Sequence, residues 1–179
     1  MKKLLPLLSV LLVTLTTFGQ LSPVTAQTGT VVRVSPALVE LEAGHSATIE
    51  IWVDDVVDLY GFAVEVQYNP AKLSAASTVL GDFLEGPGLT PVDTIDNING
   101  ILQYEMVQVS PSEAKSGSGV LISFEITLLE ATSETPLVIS HILLTDRNGF
   151  EIPSIGQNGE VVTPGYSPAY SVFLPLIIN

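Results

Sequence analysis

The sequence predicts an all-β protein, a two-sheet β-sandwich of jelly-roll topology with about nine strands. Three observations lead there. Apolar residues alternate with polar ones at a period of two in segment after segment, which is the mark of strands with one buried face. The pairs Asn99-Gly100, Asn148-Gly149 and Asn158-Gly159 punctuate these segments and supply residues that tolerate positive φ, as tight hairpins require. No long stretch shows helical spacing, so at most single helical turns are expected, near residues 70–73 and 112–115.

The N-terminus reads as an address. Lys2 and Lys3 precede an apolar run from Leu4 to Leu15, broken by Pro6, Ser9 and Thr14, and a polar stretch ends at Val24-Thr25-Ala26. Charge, apolar run and small-residue exit in that order predict a secretory signal over residues 1–26, with Gln27 as the new N-terminus. The apolar run falls short of the ~20 residues that span a bilayer. No transmembrane segment is expected after its removal, and the mature protein is expected outside the cell or on its surface.

Removing 26 of 179 residues leaves 153, enough for one domain with its own core. The cations that remain are Arg33, Lys72, Lys115 and Arg147; four against nineteen carboxylates gives a mature net charge of −15. With so few and scattered cations, nucleic acid is not an expected partner. The chain has no cysteine, which excludes disulfides, thiol nucleophiles and zinc–thiolate sites.

Strand segments follow in order. Residues 31–34 and 38–41 are strand-like. Ile49, Ile51 and Val53 alternate with Thr48, Glu50 and Trp52; Phe62, Val64, Val66 and Tyr68 alternate with Gly61, Ala63, Glu65 and Gln67. The intervening acids Asp54, Asp55 and Asp58 read as a solvated turn. Leu102, Tyr104 and Met106 form the next buried set, and Val120, Ile122, Phe124, Ile126 and Leu128 the longest one. Residues 137–144 and 160–163 complete the pattern. The runs around Ala43-Gly44, Gly86-Pro87-Gly88 and Ser116-Gly117-Ser118-Gly119 read as loops. The expected sandwich domain spans residues 27–163. Residues 164–169 read as a linker, and residues 170–179 as an apolar C-terminal tail.

The order of these segments resembles the cohesin family, together with the carbohydrate-binding modules that share its sandwich. The resemblance runs from about Val31 to Val162. Its most specific part is the strand from Leu59 into Tyr68-Asn69-Pro70-Ala71-Lys72-Leu73, similar to the family's Tyr-Asp-Pro-x-x-Leu corner with Asn69 in the Asp position. Leu80-Gly81-Asp82-Phe83-Leu84, Gly117-Ser118-Gly119-Val120 and Thr145-Asp146-Arg147-Asn148-Gly149 resemble three later family elements. The resemblance implies a β-sandwich that binds dockerins through one sheet face. In the family that face carries Asn and Asp on the strand before the corner, where this chain has Gly61 and Ala63.

The candidate partner-binding residues are therefore Gly61, Ala63, Glu65, Gln67, Gln103 and Glu105. Asp93, Asp96, Asn97 and Asn99 form an oxygen-rich run that reads first as an ordinary Asn-Gly hairpin and second, by ligand type, as a candidate calcium site. Trp52 points outward, with Tyr60 and Tyr104 as possible companions in a sugar-stacking platform. No Gly-x-Ser-x-Gly elbow exists, and neither His45 nor His141 has a recognisable nucleophile. No catalytic residue and no cofactor are expected. The expected function is a secreted, non-catalytic module for extracellular protein–protein interaction, with a dockerin-bearing or other surface protein as partner. The alternatives are a carbohydrate-binding module associated with polysaccharide degradation and a structural cell-surface domain.

Overall fold

The computed structural model describes residues 29–166. The expected signal at residues 1–26 and the expected tail at residues 170–179 lie outside them. Ten strands follow in chain order: β1 (Thr30–Ser35), β2 (Leu38–Glu40), β3 (Ser46–Gln67), β4 (Leu73–Leu80), β5 (Gly88–Asp96), β6 (Ile101–Gln108), β7 (Lys115–Leu128), β8 (Thr135–Asp146), β9 (Ser154–Gln157) and β10 (Gly159–Val162). The described residues contain no helix. The protein is all-β, as the period of two predicts.

β3 organises the sandwich. Its first half pairs with β1 and β7, and its second half with β6 and β8. One layer therefore reads β4-β7-β3-β1-β9, and the other β5-β6-β3-β8-β10-β2. All pairs are antiparallel except β1 with β9 and β10 with β2. The segments expected as two strands, around Ile49–Val53 and Phe62–Tyr68, are thus one strand. Asp54, Asp55 and Asp58 lie inside it, not in a turn. Asp55 and Asp58 have φ of 54° and 59°, and the register to β7 shifts beside them. These bulges bend the strand from one layer into the other.

The predicted loop at residues 116–119 is also strand. Ser116 and Ser118 belong to β7, and their Oγ atoms accept the bulged N–H groups of Asp58 (2.9 Å) and Asp55 (3.0 Å). Each bulge would otherwise leave an unpaired donor. Neither expected helical turn is helix: residues 70–72 are a turn in which the Lys72 and Leu73 N–H groups both donate to Asn69 O, at 3.0 and 2.9 Å, and Leu73 and Lys115 already open β4 and β7.

Strands β4, β5 and β9 bring the total to ten. β5 is exposed along most of its length, so it shows no buried face for periodicity to find. The Asn158-Gly159 pair closes no hairpin: β9 pairs with β1 in one layer and β10 with β8 and β2 in the other. Gly159 instead permits a close crossing, since a Cβ there would lie 2.5 Å from Val34 Cγ1. The core fills the space between layers. Ile49, Ile51 and Val53 from the first half of β3 pack in one cluster with Phe62, Val64 and Val66 from the second, and with Phe124 and Ile126 of β7. Phe62, Tyr68 and Phe124 are all buried.

Candidate functional site

The second half of β3 is central in its layer, with β6 on one side and β8 on the other. Since Phe62, Val64 and Val66 point into the core, Gly61, Ala63, Glu65 and Gln67 occupy the opposite face. The register aligns their neighbours in rows. Gly61 lies between Val107 and Thr145, Ala63 between Glu105 and Leu143, and Glu65 between Gln103 and His141. β5 extends the rows through Leu89, Val92 and Thr94. All six candidate partner-binding residues thus share one sheet face.

Glu65 is the polar centre of this face. Its Oε1 accepts from Ser140 Oγ at 2.7 Å and from Gln67 Nε2 at 2.9 Å, while Oε2 accepts from Gln103 Nε2 at 2.8 Å. These donors, Ser140 foremost, hold its carboxyl below the ordinary carboxylate range, helped slightly by His141 and opposed by partial burial. Glu65 is therefore a fixed anion at neutral pH.

One row away the surface is apolar and hollow. Gly61, Phe62, Pro91, Glu105, Met106, Val107, Leu143 and Thr145 line a depression of about 170 Å³. Val107 and Leu143 are each 37% exposed, and Leu89 is 61% exposed. Gly61 sets the contour: a Cβ there would meet Thr145 Oγ1 at 3.0 Å and Met106 O at 3.1 Å. The β8 residues Ser140, His141, Leu143 and Thr145 were not among the sequence candidates. Strand periodicity places each strand's faces but does not say which strands are neighbours.

The oxygen-rich run is placed differently. Asp96 accepts from the N–H groups of Ile98 and Asn99 and from Asn99 Nδ2. The Asn99 side chain leads in lowering its pKa. Asn97 Oδ1 accepts from Tyr68 Oη and Ala75 N–H, both at 2.8 Å, and its Nδ2 donates to Ala75 O. Asp93 accepts from Thr78 Oγ1. The four side chains serve the β5–β6 turn, the β4 strand and the corner after β3. Among the described residues no group of three or more His, Asp or Glu side chains is arranged to hold a metal ion. Gly100, with φ of 70°, closes this turn.

The sugar-stacking platform does not assemble. Tyr104 is 5% exposed and stacks on Phe62 in the core, ring centroids 6.1 Å apart. Trp52 is on the other layer, with the Arg33 guanidinium 5.2 Å from its ring centroid and Asp54 fixing that guanidinium at 2.7 Å.

Two layers joined through one long strand, with the first and last strands in parallel pairs, constitute a cohesin-like fold. Among solved structures, the second type II cohesin module of the ScaA adaptor scaffoldin from Acetivibrio cellulolyticus matches with a TM-score of 0.67 at 15% identity, covering 81% of this chain and 94% of that one. The cohesin–dockerin complex of OlpA from Clostridium thermocellum gives 0.65 at 13% identity, covering 75% and 99%. A non-cellulosomal cohesin from the hyperthermophilic archaeon Archaeoglobus fulgidus gives 0.59 at 13%, covering 74% and 89%. No protein-family model matches the chain, and no curated protein matches it either. At these identities the likeness establishes the fold.

Proposed function

We propose that this protein is a secreted, non-catalytic binding module that holds an extracellular protein, a dockerin-bearing protein or another surface partner, on the outer face of β5, β6, β3 and β8. The observation that carries this reading is the face itself. It is an open sheet surface with a fixed anion, an apolar depression and exposed aliphatic side chains, and apolar ground of this kind marks contact sites. The fold agrees, since several of the similar structures are cohesin–dockerin complexes. Protein is favoured over polysaccharide because Tyr104 stacks on Phe62 in the core and the Trp52 ring is overlain by Arg33.

The test is retention of a partner from culture supernatant by the immobilised mature protein. Ala63→Arg, in the middle of the face, should abolish retention. Thr48→Arg, on the outer face of the other layer, should not. Equal retention by both variants, with melting temperatures unchanged, would reject the face.

Residues 1–26 act as the export signal in this reading, and residues 164–169 link the domain to the tail at 170–179. Secreted material should give an intact mass beginning at Gln27; the full-length mass in the medium would contradict export by cleavage.

A further inference from the structure

The chemistry of the partner follows from what the face lacks as much as from what it has. We infer that the depression beside Gly61 receives an aliphatic side chain from a cationic segment of the partner, and that Glu65 and Glu105 pair with the cations flanking that anchor. The inference rests on the reading of this face as the binding surface and names what that surface selects.

Shape comes first. The depression of about 170 Å³ is large enough for an aliphatic side chain, since an apolar cavity of about 150 Å³ takes up benzene. Pro91, Val107 and Leu143 supply its apolar side-chain lining, while Met106, whose side chain is in the core, presents its backbone carbonyl. Gly61 and Ala63 offer no side-chain donor or acceptor. A partner group seated there meets the side chains of Pro91, Val107 and Leu143, with Glu105 and Thr145 as the polar members of the lining, so an apolar anchor gains most of its contact there.

Charge comes second. Glu65 and Glu105 stand one row apart, and the rows through Gly61, Ala63 and Glu65 contain no Lys or Arg. Three of the four cations in residues 27–179 are engaged elsewhere: Arg33 with Asp54, Lys72 with Glu130, and Arg147 with Asp58 and Glu113. The hydrogen bonds on Glu65 keep it anionic. An approaching segment therefore meets uncompensated negative charge on a molecule that is already strongly acidic, which attracts a cationic partner and repels an acidic one.

Hexylammonium combines an aliphatic chain with a cation, and hexanoate is its matched anion. Both would be titrated into the isotopically labelled mature chain, with backbone amide shifts as the readout. Hexylammonium should give saturable shifts at Gly61, Ala63, Val107 and Thr145, and hexanoate should not. The double variant Glu65→Gln, Glu105→Gln should weaken hexylammonium binding about two- to fivefold, the range of exposed charge pairs. Equal shifts from both probes, no shift from either, or shifts centred on the separate exposed pair Phe150 and Ile155 would overturn the inference. If that happens while Ala63→Arg still abolishes partner retention, the binding face stands and only its selectivity is wrong.

Discussion

Asn97 shows how a residue chosen for one role serves another. Its amide oxygen and nitrogen tie Tyr68 of the corner and Ala75 of β4 to the β5–β6 turn. Residue type flagged it as a calcium ligand; only the folded chain reveals that its donors and acceptors are already used. Core residues were easier to read. Phe124 is 1% exposed, and Phe124→Ala should lower stability by about 3–5 kcal/mol, measured by denaturant unfolding; an unchanged midpoint would contradict its placement between the layers. Glu65 makes a pH prediction. Its folded pKa lies below the ordinary value of 4.5, so it stabilises the fold above its unfolded pKa and loses that contribution as pH falls through the folded one. Glu65→Gln should flatten the fall in melting temperature below about pH 4.5. An identical acid limb in the variant and the parent would show that the network contributes nothing.

At the scale of elements, β3 is the instructive case. Its two alternating segments are visible in the sequence, and their faces were assigned correctly, but the run from Asp54 to Asp58 reads as a turn because acids are uncommon in strands. The folded chain keeps it in the sheet by two local devices: left-handed backbone at Asp55 and Asp58, and hydroxyl acceptors from Ser116 and Ser118. Non-glycine residues at positive φ are strained, with Asp among the more tolerant. Asp55→Val should therefore destabilise by about 1–2 kcal/mol, while Asp55→Gly should be far milder. Equal losses from both would mean that the bulge is not held in that geometry. The same glycine-and-serine run in β7 was read as a loop for its composition, yet composition carries no record of a partner strand that needs acceptors.

On the scale of the whole molecule, the all-β class and much of the core were legible because period-two burial is local information. The six candidate face residues were legible through the resemblance and the alternation in β3 and β6. The β8 half of the face and the depression were not, since both depend on which strands become neighbours. Charge works at this scale too. A net charge of −13, with Arg33, Lys72 and Arg147 paired to carboxylates, leaves the surface acidic on the face that is proposed to bind.

The most direct measurement is an amide hydrogen-exchange footprint of the mature protein with and without its recovered partner. Binding on the proposed face predicts added protection along residues 61–67 of β3, 101–107 of β6 and 140–145 of β8, with residues 119–127 of β7 and 46–52 of β3 unchanged. Protection confined to β7 and the first half of β3, or to the edge at β9, would contradict it.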